Sequence, residues 1–215
     1  MSKIEVKQKV EYLLSCDASL IRARGKHNDA LLHRAALNGN DKVISVLIQH
    51  GAEVNERGEF GRTALHDACD KGHVACIHEL MRFGSDVEAR DNNKKATPLQ
   101  LAAYFNHPAC AKVLIDEYKA SINAKNKYDE TALHRASFKG NLEVVKLLTS
   151  YSQCDVNAKD EDDSTAADLA RRKGHNDIVD YLTSRTSVAS VTSSLVASNI
   201  TDDMKIYGKY VSIYP

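Results

Sequence analysis

The chain has 215 residues, with 29 Lys and Arg against 29 Asp and Glu, so its formal net charge is zero. A neutral chain lacks the positive excess that drives binding to a phosphate backbone, which argues against nucleic acid as a partner. No run of 18 apolar residues occurs, so no membrane-spanning helix is expected. The five Cys, at 16, 69, 76, 110 and 154, are scattered and form no C-x-x-C pair, which predicts free thiols in a reducing compartment. The opening residues carry acid at Glu5 and lack an apolar stretch, so they do not read as a signal peptide.

In chain order, Val6, Val10, Leu13 and Leu14 sit at helical spacing and predict a first helix, followed by polar Cys16-Asp17-Ala18-Ser19. A repeat then begins. Ala30-Leu31-Leu32-His33, Thr63-Ala64-Leu65-His66 and Thr131-Ala132-Leu133-His134 read almost alike. Thr97-Pro98-Leu99-Gln100 and Thr165-Ala166-Ala167-Asp168 are weaker copies. The steps between their first residues are 33, 34, 34 and 34. Nine residues after each start stand Gly39, Gly72, Asn106, Gly140 and Gly174. Later in the period come Asn55, Glu88, Asn123 and Asn157.

Each mark has a physical reason. The Thr hydroxyl accepts a hydrogen bond from an orphan amide and starts a helix, and Pro98 fits the first helical position. Gly, or Asn as second choice, takes the left-handed conformation that ends the helix. Apolar spacing such as Val43, Ile44, Leu47 and Ile48, or Leu142, Val145, Leu147 and Leu148, predicts a second helix in each copy. One helix pair cannot bury its apolar face alone, so the copies must stack. Repeat one lacks its Thr, which predicts a less sharp helix start. Extra residues within Glu117–Ala120 and Tyr151–Cys154, and around Asn92–Lys95, predict local bulges.

The pattern resembles the ankyrin repeat over about residues 27–185. The resemblance implies an all-α solenoid of stacked helix-turn-helix units with β-hairpin fingers. The expected division is a degenerate N-terminal capping helix at 1–26, then repeats at 27–60, 61–95, 96–129 and 130–163, a C-terminal capping repeat at 164–185, and a Ser/Thr-rich tail at 186–215. That tail reads either as flexible or as a short helix, and its Tyr207, Tyr210 and Tyr214 either as a docking motif or as ordinary tail residues. The Asn199-Ile200-Thr201 sequon carries no weight without a secretory signal.

No catalytic constellation is visible. There is no G-x-S-x-G, no phosphate loop and no G-x-G-x-x-G. His33, His66 and His134 recur with the period, and the resemblance implies that they hydrogen-bond between neighbouring loops. His73, Cys76 and His78 do not share a helix face and have no fourth ligand at zinc spacing. Asp160-Glu161-Asp162-Asp163 lacks the Gly and distal Glu of a calcium loop. Neither an enzyme, a metal nor a cofactor is expected.

The resemblance implies a protein-binding module whose concave face is lined by fingers and first helices. Counting from the first residue of each copy places Arg34, Asp67 and Arg135 four residues on, and Asp70, Lys71, Tyr104, Phe105, Phe138 and Lys139 seven or eight on. Phe60 and Tyr128 fall on fingers. Exposed aromatics rimmed by charge mark contacts, and aromatics with Arg supply most hot spots. The expected centre is Tyr104, Phe105, Tyr128 and Phe138, with Arg34, Asp67, Asp70, Lys71, Arg135 and Lys139 as charged rim. Such a chain is expected to be an adaptor, scaffold or inhibitor, monomeric alone, in the cytoplasm or nucleus. As an alternative, Lys127 to Leu142 is similar to gankyrin-type assembly chaperones of the proteasome regulatory particle. The resemblance also makes Asn55, Asn123 and Asn157 candidates for hydroxylation.

Overall fold

The computed structural model describes residues 2–25 and 29–185; the Ser/Thr-rich tail, with its three Tyr, lies outside the described residues. The first helix, α1 (Lys3–Cys16), is followed by a 3-10 turn, Ala18–Arg22. Nine further helices come next: α2 (Leu31–Leu37), α3 (Asp41–Gln49), α4 (Ala64–Lys71), α5 (Val74–Arg82), α6 (Pro98–Tyr104), α7 (Pro108–Asp116), α8 (Ala132–Lys139), α9 (Leu142–Ser150) and α10 (Ala166–Lys173). Residues 176–185 are also helical. The even-numbered helices pack in sequence as an inner row, and α1, α3, α5, α7 and α9 as an outer row. The first helix thus heads the outer row with no inner partner among the described residues. The core runs continuously between the rows through Leu32, Ile44, Leu65, Ile77, Leu99, Leu114, Leu133, Leu148, Ile178 and Leu182. Each copy buries its apolar face only against its neighbours, which is the architecture of a solenoid. Among the described residues no helix is long and apolar enough to cross a membrane.

The inner helices start as their sequences dictate. The hydroxyls of Thr97, Thr131 and Thr165 accept from the amides of Gln100, His134 and Asp168 at 3.3, 3.5 and 3.3 Å. Those three side chains return to the Thr amides, closing a reciprocal capping box. Helix α2 begins in phase, but Ala30 makes no side-chain cap bond. The missing Thr shows instead at His33, whose Nδ1 is buried without a partner.

The helix ends show a compensation between copies. Gly39, Gly72, Asn106, Gly140 and Gly174 all have positive φ. A Cβ at Gly72 would come within 2.6 Å of the His107 ring, and one at Gly140 within 2.7 Å of the His175 ring. Asn106 carries a Cβ, and the residue one period after His107 is the shorter Asn141. The Asn141 amide donates to the carbonyls of Ala103 and Tyr104 at 2.8 and 2.9 Å. Asn for His at this place leaves room for a side chain at the preceding turn.

The fingers are single tight turns. Gly58, Asn126 and Asp160 donate their amides to the carbonyls of Arg62, Glu130 and Ser164, each four residues on. Asp91 reaches Ala96, five on, which locates the extra residue of that finger. The extra residue of Glu117–Ala120 widens a helix-closing turn: Ala120 bonds back to Leu114, whereas Ser85 bonds back to Leu80. The one β-bridge among the described residues joins Arg24 and Ala30, so no hairpin ladder forms in the fingers. The turns are too short to offer a second pair of opposed residues.

Candidate functional site

Neighbouring copies are bolted together by side chains on backbone carbonyls. His33, His66 and His134 direct Nε2 to the carbonyls of Arg62, Ala96 and Ser164 at 3.0, 3.0 and 3.1 Å. Gln100 does the same toward Glu130 at 2.8 Å. At His66 the Thr63 amide donates to Nδ1 at 3.1 Å, which fixes the tautomer with its proton on Nε2. Burial drives the His66 pKa down to about 4 and lowers that of His134. A second ladder was not foreseen from sequence. His73 and His107 reach back to the carbonyls of Leu37 and Asp70 at 3.2 and 2.8 Å. Outside the fingers, Arg57 donates to the carbonyl of Arg90 at 2.7 Å, Arg90 to that of Lys125 at 2.5 Å, and Lys125 to that of Lys159 at 3.0 Å. The signal for the first of these was present in the period: His73, His107, Asn141 and His175 are each 34 apart.

The concave face shows a depth gradient. Eight residues after each start, Asn38, Lys71, Phe105, Lys139 and Lys173 are all exposed. Seven after, Tyr104 and Phe138 are half-buried. Four after, only Arg34 is exposed; Asp67, Leu101, Arg135 and Leu169 are buried. Asp67 and Asp70, at 5% and 8% exposure, and Arg135, at 5%, therefore do not form an open rim. The physical reason is that the preceding finger folds over the start of the inner helix. It brings the Arg62 guanidinium 2.8 Å from Asp70 and 4.0 Å from Asp67. Lys71 caps the other oxygen of Asp70 at 3.1 Å. Burial, opposed by Arg62, raises the Asp67 carboxyl to about 7.

The four central aromatics border two hollows. Tyr104 and Phe105 pack edge to face at 5.0 Å between ring centres. Arg135 stacks on Tyr104 at 4.1 Å and Lys139 approaches the same ring at 5.0 Å. This pair borders a hollow of about 180 Å³ that also involves Arg62, Asp91, Lys94, Leu101 and Arg135. Tyr128 and Phe138 border a different hollow, about 320 Å³, with Glu130, Asp160, Glu161, Asp162, Leu169, Arg172 and Lys173. Lys173 lies 4.5 Å from the centre of the Phe138 ring, and Lys127 lies 4.8 Å from that of Tyr128. The first hollow has three cations and one acid, and the second four acids and two cations. Phe60 is 57% exposed on its finger, in the left-handed conformation, and Phe105 is 40% exposed. Arg34 stands apart, beside Val6, Val10 and Leu31 in a third, apolar hollow.

The candidate modification sites differ in engagement. Asn55 donates to the carbonyl of Gly84 at 3.2 Å and accepts from the Asp86 amide at 2.8 Å. Asn123 bridges Gln153 and Asp155 in the same way, at 2.7 and 2.9 Å. In the copy between them, Glu88 accepts from the Ser121 amide at 2.7 Å. Asn157 makes no such bridge among the described residues. His73 and His78, weighed as metal ligands from sequence, bond to the Leu37 carbonyl and the Tyr118 hydroxyl.

The family model for ankyrin repeats, described as three copies, matches residues 32–126, 75–160 and 118–193. No curated protein matches the chain.

Proposed function

Given that the chain belongs to the ankyrin repeat family and is thereby a protein-protein interaction module, we propose that it is a non-catalytic adaptor that takes a protein partner on its concave face. The observation that carries this reading is the contrast in charge and aromatic content along that face. Two hollows, one basic and one acidic, each lie beside half-buried aromatic rings. Rings held by stacking under cations present rigid contact area at low entropic cost, as hot spots do. The contact residues are Phe60, Tyr104, Phe105, Tyr128 and Phe138 with Arg34, Lys71 and Lys139; Asp67, Asp70 and Arg135 act from beneath by holding Arg62 and Tyr104.

The test is affinity capture from source-cell lysate with wild type beside a Tyr104/Phe105/Phe138→Ala variant that retains its circular dichroism. Partners kept by wild type and lost by the variant support the reading. Identical partner lists move the site elsewhere. A role as proteasome assembly chaperone is less well supported, because within Lys127 to Leu142 the residues Thr131, His134 and Gly140 serve helix capping and seam bonds. Co-migration with regulatory-particle subunits would establish it. The adaptor is monomeric, works in the cytoplasm or nucleus, and is hydroxylated at one or more of Asn55, Asn123 and Asn157. Light scattering, fractionation and intact mass of the native protein check these three points.

A further inference from the structure

The hollow beside Tyr104 and Phe105 has chemistry of its own. Four buried side-chain polar atoms among the described residues lack a hydrogen-bond partner, and two of them are the Nε of Arg62 and the Nε of Arg135. Both guanidiniums border this hollow. A buried donor left unpaired is costly, and native structures rarely leave one without a reason. Arg135 spends one terminal nitrogen on Glu130 at 3.4 Å, near the long limit for such a bond. Arg62 spends one on Asp70. Lys94, also at the hollow, makes no ion pair among the described residues and has its ammonium 5.6 Å from the Tyr128 ring centre. The hollow thus gathers three cations with spare donors under an aromatic edge.

Resting on the reading of this face as the protein-binding surface, we propose that the hollow receives an Asp or Glu carboxylate from an extended partner segment, with an apolar neighbour of that residue lying against Tyr104 and Phe105. Charge complementarity selects an anion, and guanidinium edges suit a planar carboxylate. Asp91 at the hollow and Glu130 on Arg135 limit the net positive charge, which favours a monoanion over a phosphate dianion. The two Nε atoms are buried, so binding requires the guanidiniums to turn toward the ligand.

The arginine Nε–H resonances of the full chain read this directly. The probe is a blocked heptapeptide with Glu between two Leu, titrated to millimolar concentration beside its Gln and phosphoserine counterparts. We expect the Glu peptide to move the Arg62 and Arg135 Nε–H signals. The Gln peptide should leave them in place, and the phosphoserine peptide should bind more weakly. Lys94→Gln should weaken the Glu peptide about tenfold with an unchanged amide spectrum. Arg135→Gln should abolish it; because Arg135 is buried, the half-buried Lys94→Gln variant decides the matter if Arg135→Gln does not fold. Equal shifts with Gln, tighter binding of phosphoserine, or silent Nε–H signals overturn the proposal. If the Glu peptide instead moves signals around Tyr128 and Phe138, the hollow is wrong and the concave reading stands. If it moves only the outer-row helices α5, α7 and α9, both fail.

Discussion

At the seam between copies, the residue three past each helix start is His33, His66, Gln100 or His134, and each reaches a carbonyl in the next finger. One residue further on, the side chains are Arg34, Asp67, Leu101, Arg135 and Leu169, a mixture of cation, acid and apolar residue. The first set sits on four of the five helices that carry the second. The first set answers to a backbone carbonyl that recurs every period, so its chemistry must recur. The second faces a groove whose lining changes from copy to copy, so its chemistry is free to vary. The comparison teaches that in this solenoid the repeated side chains hold the fold and the unrepeated ones near the surface define what it meets.

The largest effect should come from breaking the seam. His66→Ala leaves the Thr63 amide unpaired in a buried site and removes one of the two donors to the Ala96 carbonyl, and should cost about 3 kcal/mol in urea unfolding. His66→Gln should cost much less, since Gln100 fills the equivalent place one copy on. The pH dependence sharpens the same contrast. His66 has a folded pKa of about 4 against an ordinary 6.5, so its contribution is present above pH 6.5 and lost as pH falls to 4, about 3 kcal/mol in all. Asp67 runs the other way: its folded pKa of about 7 exceeds the ordinary 3.8, so its contribution is present below pH 3.8 and lost as pH rises to 7. Between pH 4 and 6.5 the two oppose. Urea melts across that window should show Asp67→Asn gaining more stability with rising pH than wild type, and His66→Gln gaining less.

A smaller effect is expected at the helix ends. Asn141→His should cost about 1–2 kcal/mol because its ring meets the Asn106 side chain, and Asn106→Gly should restore the loss. A double-mutant cycle with no coupling would refute the compensation between these positions. The smallest change at the seam is a gain. Ala30→Thr supplies the absent cap and a partner for His33 Nδ1, and should raise stability by about 1 kcal/mol by thermal or urea melting.

Much of this was legible in the sequence. The Thr starts, the Gly and Asn ends, and the longer finger at Asn92–Lys95 were set by local chemistry and appear where the period puts them. The linking role of His33, His66 and His134 followed from the family resemblance. What escaped was of two kinds. The ladder of His73, His107 and Asn141 was hidden because residues of different type do one job, donating to a carbonyl one copy back. The burial of Asp67, Asp70 and Arg135 was hidden because helical phase gives a direction and not a depth. Depth is set by the finger, which lays Arg62 over the helix that follows it.

The most direct test is the unfolding free energy of a Phe105→Ser/Lys139→Ser/Lys173→Ser variant, changed at three exposed positions eight residues into their copies. If the exposed residues of the concave face do not hold the fold, it should stay within about 1 kcal/mol of wild type. A loss as large as that of His66→Ala would contradict the division between a repeated scaffold and an individual binding face.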